Sequence, residues 1–71
     1  MENHVIICGY GRNGKQAVQE MIAFKHSFIV IEQDKQIILK NQDVNIKFIE
    51  GDSTLDEVLI SAGVKNAKAL I

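Results

Sequence analysis

Proline is absent from these 71 residues, cysteine occurs once, and acidic and basic side chains nearly cancel to a net charge of -1. The lone cysteine excludes an internal disulfide and fits a reducing compartment. Near-neutrality argues against broad electrostatic binding to nucleic acid, because no face can gather the cationic excess that phosphate neutralisation demands. No apolar run approaches the length of a bilayer span, and the N-terminus lacks the basic-then-apolar layout of a secretory signal. Internal repeats, low-complexity tracts and linkers are also missing, so residues 1–71 read as a single lobe. With 46% hydrophobic and 24% charged residues, the composition is that of an ordinary globular domain and not of a disordered or fibrous chain.

What is present centres on Cys8-Gly9-Tyr10-Gly11-Arg12-Asn13-Gly14. His4 to Cys8 is a short apolar run rich in β-branched residues, the signature of a strand covered on both faces. Behind the glycines, Gly14, Ala17, Val18, Met21, Ile22 and Lys25 recur at helical spacing and predict an amphipathic helix from about Arg12. The result is G-x-G-x-x-G between a strand and a helix. In that setting Gly9 lets the chain leave the strand in a tight turn, and Gly11 lets a pyrophosphate approach the backbone. Gly14 lets the helix lie close on the sheet. The helix N-terminus then directs its unpaired N–H groups and its positive dipole end at the same point, where an anion is expected.

Further along, Ser27 to Ile31 predicts a second buried strand closed by Glu32, and Asp34 N-caps a short helix to about Asn41. Ile46 to Ile49 predicts a third strand, stopped by Glu50-Gly51-Asp52. Thr54-Leu55-Asp56-Glu57 fits a capping box, Leu55, Val58, Leu59 and Ala62 supply an apolar helix face, and Gly63 stands where a left-handed C-cap belongs. Ala67 to Ile71 opens a fourth strand. The order β-α-β-α-β-α-β with right-handed crossovers predicts an α/β, Rossmann-like parallel sheet in the order 3-2-1-4, roughly half of a full doubly wound fold. Its fourth strand would be an edge inviting further pairing, so the chain reads as part of a larger domain.

Glu32 follows Gly14 by eighteen positions, at the carboxyl end of the second strand, where an acid accepts hydrogen bonds from an adenosine ribose. Its other reading is a solvated strand-end carboxylate. Asp52 follows the third strand on the same sheet edge. It could reach the adenosine side of such a ligand, or it could serve only as a turn acid at a helix start. Arg12 could offset phosphate charge, since a cation at a helix start is poorly placed without an anion nearby. Cys8 packs as an inert buried thiol. His4 and His26 have no partners at metal-ligand spacing, so no metal site is expected.

The residues His4 to Gly14, Val30-Ile31-Glu32, Gly51-Asp52-Ser53-Thr54 and Leu59-Ile60-Ser61-Ala62-Gly63-Val64 together resemble the N-terminal lobe of an RCK domain, the regulator of potassium conductance, also called the TrkA N-terminal or KTN domain. The Gly-Asp-small-Thr stretch followed by Leu-x-x-Ala-Gly is the more specific part, because dehydrogenases do not generally share it. The resemblance implies a non-enzymatic, cytoplasmic regulatory domain of a prokaryotic potassium channel or transporter, held at the inner membrane through that partner. It implies NAD(H) as ligand, with AMP, ADP or ATP as alternatives, and assembly into dimers and then an octameric ring. Carried over by motif, Gly9, Tyr10, Gly11, Arg12, Asn13 and Gly14 would hold phosphates, Glu32 and Gln33 the ribose end, and Asp52 with Ser53 the adenosine side. Phe24-Lys25-His26-Ser27 departs from the pattern, since many relatives close the first helix with glycine. The rival reading is the cofactor half of an NAD-dependent oxidoreductase.

Overall fold

A computed structural model describes residues 1–43 and 45–71. Its elements run β1 (Val5–Cys8), α1 (Arg12–Ala23), β2 (Phe28–Glu32), α2 (Lys35–Lys40), β3 (Phe48–Glu50), α3 (Asp56–Ser61), a 3-10 turn (Val64–Asn66) and β4 (Ala69–Leu70). The four strands form one sheet in the order β3-β2-β1-β4, and every neighbouring pair is parallel. The topology is the Rossmann-like one that the alternation of elements predicts. Every strand therefore ends on the same sheet edge, and the loops that follow β1, β2 and β3 gather there.

Each face of β1 and β2 supplies a separate core, because successive strand residues point to opposite sides. Val5, Ile7 and Val30 pack with Tyr10 and Val18, and Ala17, Met21, Ile37 and Phe48 close over them on the α1 and α2 side. Ile6, Ile29 and Ile31 pack with Ala62 against Val58, Leu59 and Val64 on the α3 side. Burial on both faces explains why these strands read as continuous apolar runs with no polar alternation.

Element boundaries depart from the sequence reading in instructive ways. The apolar stripe of α1 serves only through Met21: Ile22 is 42% exposed, and Lys25 lies outside the helix at φ 58. There the Lys25 and His26 N–H groups donate to the Ile22 and Met21 carbonyls, a left-handed closure of the kind glycine normally makes. Strand β2 sits one residue later than expected, so Glu32 lies inside the ladder, opposite Glu50. Strand β3 begins at Phe48, and Ile46 packs instead as a half-buried side chain of the core on the α1 side. Only Ala69 and Leu70 form β4, although bonds from Lys68 N–H to the His4 carbonyl and from Ile71 N–H to the Ile6 carbonyl extend its attachment to β1.

The capping box does not form. Helix α3 starts at Asp56 with Leu55 as N-cap and no side-chain bond, while the Thr54 hydroxyl donates to Asp52 Oδ1 at 2.7 Å. Asp52 also accepts the Thr54 N–H at 2.8 Å. A charged acceptor two residues upstream captures the threonine in a local turn before the helix can use it. Gly63 does take the left-handed conformation, with φ 78, and it leads into the 3-10 turn. Asp34 caps α2 as read, accepting the Gln36 N–H at 2.9 Å.

His4, which the sequence placed only at a strand start, is fully buried. Its Nε2 lies 2.7 Å from the Ala62 carbonyl, a contact that requires the ring to carry its proton there and donate it. Nδ1 is buried with no partner among the described residues. The histidine thus pins the end of α3 to the start of β1.

Candidate functional site

The turn between β1 and α1 stands at the carboxyl edge of the sheet, beside the point where strand order reverses from β1 to β4. Ligands of open α/β sheets bind at such crevices. Gly9 leaves the strand at φ 95, a left-handed conformation that a side chain would strain. Its N–H donates to the Ile31 carbonyl at 2.7 Å, which ties the turn to β2. Gly14 faces back onto Gly9: a Cβ there would collide with the Gly9 carbonyl oxygen. The helix therefore lies as close to the strand exit as the third glycine was expected to allow. Gly11, by contrast, faces open space, with nothing within 4 Å of where its Cβ would be.

The donors at this turn fall into two groups. The amides of Gly9 and Tyr10 are taken, the first by Ile31 and the second by Glu32. Those of Gly11, Arg12, Asn13 and Gly14 have no acceptor among the described residues, as expected for the orphan donors of a helix N-terminus. Arg12 and Asn13 are exposed, and no acidic residue occupies the first turn of α1. The edge therefore offers unpaired N–H groups, a dipole end and a guanidinium, all favourable to one anion.

Glu32 differs from its expected role as a waiting acceptor. Its Oε1 accepts the Tyr10 N–H at 2.7 Å and its Oε2 accepts the Asp34 N–H at 2.8 Å. The carboxylate thus fastens the glycine turn to the entry of α2. An ionised carboxylate offers about four lone-pair sites, so two remain for a further donor. Nothing in the sequence announced this latch, because its partners are backbone amides and not side chains.

The loop after β3 joins the same edge. Gly51 N–H donates to the Glu32 carbonyl at 3.0 Å, placing Asp52 and Ser53, both half-buried, next to the β2 exit. The Asp52 carboxyl is held below its ordinary pKa by the Thr54 hydroxyl and then by the Thr54 N–H. Both bonds lie inside the turn before α3, and neither involves an amide of the helix itself. Gln33 is exposed at the turn before α2. The structure thus gathers Gly9 to Gly14, Glu32, Gln33, Asp52 and Ser53 on one edge of the sheet. Cys8 is half-buried against the α3-side core. No cluster of three potential metal ligands occurs among the described residues.

The sequence reading passed over Lys15 and Lys40. Both line a cleft that opens off the turn between α1 and α2, together with Tyr10, Gly11, Arg12, Ile37 and Asn41. The available signal was Lys15 one helical turn after Arg12, which places both cations on one side of α1.

Parallel strands, the tight first turn and the alternation with helices define a Rossmann-like α/β lobe. The TrkA-N domain family model matches residues 5–71, and the chain belongs to that family. It is 38% identical over 73 residues to potassium channel protein 1 of Methanocaldococcus jannaschii, covering 100% of this chain and 22% of that protein. It is 34% identical over 74 residues to probable potassium channel protein 2 of the same organism, again covering 22% of it. An uncharacterized protein of Methanothermus fervidus is 40% identical over 73 residues and is covered to 12% of its length. The chain thus spans about an eighth to about a fifth of the length of these three relatives. Among solved structures, the TrkA-N domain of the inner membrane protein ybaL from Escherichia coli superposes with a TM-score of 0.89 at 24% identity, over 99% of this chain and 52% of that one. The GsuK channel bound to NAD superposes with a TM-score of 0.81 at 21% identity, over 99% of this chain and 13% of that one. These two likenesses establish the fold.

Proposed function

We propose that this TrkA-N domain is a regulatory nucleotide-binding module of a potassium channel or transporter, with NAD(H) as its ligand and AMP, ADP or ATP as the alternatives. The observation that carries the reading is the row of four unpaired amides, Gly11 to Gly14, at the N-terminus of α1 on the carboxyl edge of a parallel sheet. That arrangement is suited to a pyrophosphate. The open space at Gly11 supports the same reading, since a phosphate can reach the backbone there. Potassium channel proteins among the relatives, and NAD in the GsuK structure, support the ligand and the setting.

In this proposal Gly9 and Gly14 shape the turn, while Gly11, Arg12 and Asn13 meet the phosphates. Tyr10 contributes through its latched backbone. Glu32 receives a ribose hydroxyl on its remaining lone pairs, Gln33 flanks it, and Asp52 with Ser53 borders the adenosine. Residues 1–71 act as one lobe on the cytoplasmic side of the membrane, paired with a second copy and assembled into an octameric ring. Ligand changes the balance between two arrangements of the paired lobes by binding one of them more tightly, and the pore follows. The module binds and does not catalyse.

The test is a thermal-shift and calorimetric screen of the full-length protein with NAD, NADH, NADPH, AMP, ADP and ATP. A ligand that binds the folded state raises the melting temperature by mass action. Stabilisation by an adenine nucleotide, lost in Gly11→Val, is the expected result. Absence of stabilisation by every member of the panel would refute the reading.

A further inference from the structure

The cleft between α1 and α2 has a cavity volume of about 480 Å³, within the range of small-molecule sites, about 300–1,000 Å³. It is lined by Tyr10, a residue 9% exposed whose ring meets Phe48 edge-on at a centroid distance of 5.3 Å. Its rim carries Arg12 and Lys15 from α1 and Lys40 from the last turn of α2, and no carboxylate lines it. The Lys15 ammonium stands 5.8 Å from the centre of the Tyr10 ring, a cation–π contact that holds the charge over that ring.

At the C-terminal end of α2, Ile37 accepts from the Asn41 side chain at 2.7 Å and Ile38 from the Asn41 N–H at 3.2 Å, and Lys40 stands in that last turn, where the negative dipole end favours a cation. The cleft is thus lined by three cationic side chains and no acidic one. In a molecule whose acids outnumber its bases by one, such local imbalance has to come from placement and not from composition. A concave surface concentrates the field of like charges and draws in an anion that can meet several of them together.

We propose that this cleft, which opens off the glycine turn at Gly11 and Arg12, is an oligophosphate subsite reaching beyond the turn amides, in which Lys15 from α1 and Lys40 from α2 hold the anion. Oligophosphate is the chemistry that fits. It carries several charges along a chain, matching cations spread over two helices, and its oxygens accept from ammonium and guanidinium groups alike. The source is either a nucleotide whose terminal phosphates reach down from the turn or a free inorganic oligophosphate. The subsite does not depend on NAD being the ligand at the turn.

The experiment is calorimetric titration of the full-length protein with inorganic tripolyphosphate, ATP, AMP and NAD, repeated on the double variant Lys15→Gln, Lys40→Gln. Both lysines are exposed, and circular dichroism of the variant checks that it keeps its fold. The expected result is tripolyphosphate binding that weakens by about tenfold or more in the variant, with NAD affinity held within about threefold. A parallel loss for ATP but not AMP assigns the source to nucleotide terminal phosphates; loss for tripolyphosphate alone assigns it to the free anion. No binding of tripolyphosphate to the unmodified protein, or equal binding to the variant, overturns the subsite. So does a fall in NAD affinity matching that for tripolyphosphate, since the cleft would then belong to the dinucleotide site. Failure of NAD to bind at all would count against the regulatory reading and leave the tripolyphosphate comparison intact.

Discussion

The Glu32 carboxylate accepts the backbone N–H of Tyr10 at 2.7 Å, twenty-two residues earlier in the chain, and so holds the glycine turn in place from the neighbouring strand. With its other oxygen on the Asp34 N–H, one side chain organises the entry to two helices. The acid that a nucleotide would meet is thus also part of the scaffold that shapes its own site.

Replacing Glu32 with alanine should therefore lower stability as well as ligand affinity. Hydrogen bonds to a charged group contribute about 1.5–3 kcal/mol when well sheltered, and partial exposure reduces this, so a loss of about 2 kcal/mol is expected in urea denaturation. Glu32→Gln keeps one acceptor oxygen and should lose about half as much. Equal stability of all three proteins would show that the latch contributes nothing.

Gly14→Ala and Gly11→Ala separate packing from access. At Gly14 a methyl group collides with the Gly9 carbonyl, and forcing atoms into a packed contact costs about 1–3 kcal/mol. At Gly11 the added methyl meets nothing and φ is -81, so stability should stay within about 0.5 kcal/mol. Thermal unfolding of the two variants checks the contrast. A Gly14→Ala protein as stable as its parent would contradict the close helix placement.

Lys25 occupies a left-handed position at φ 58, which costs a residue with a Cβ about 1–2 kcal/mol. Lys25→Gly should raise stability by about 0.5–1 kcal/mol after the extra chain entropy of glycine is subtracted. A lower denaturation midpoint in the variant would show that the lysine is not strained there.

Thr54→Val removes the hydroxyl that does most to hold the Asp52 carboxyl below its ordinary pKa. The Asp52 pKa should rise toward that ordinary value, as read by carboxyl NMR titration. A group depressed in the folded state contributes stability that is present above its unfolded pKa and is lost as pH falls through the folded one. The variant should accordingly lose less stability on acidification. An unmoved Asp52 titration would place the cause elsewhere.

The fold was legible wherever a single physical demand acted on a segment. Val5 to Cys8 and Phe28 to Ile31 had to be apolar on both faces, and three glycines in a fixed pattern could serve only one kind of turn, so sheet order and turn position followed. Boundaries failed where two local partners competed. Thr54 could cap α3 or bond Asp52, and the nearer carboxylate won. Lys25 could extend the stripe of α1 or close the helix, and the positive φ shows that closure prevailed. Glu32 was placed correctly, but its backbone partners were invisible in a one-dimensional pattern. So was the cleft, because Lys15 and Lys40 come to line one concavity only in the folded chain.

His4 joins the first strand to Ala62, and β1 pairs with β4 near residue 70. The central strand thus finds one flank only after residues near 70 have been synthesised. A ribosome-bound chain shorter than this must carry β1 with that flank open. Contacts of such long sequence separation slow folding and leave hydrophobic surface to be sheltered meanwhile, so β1 is expected to gain this flank well after it has paired with β2.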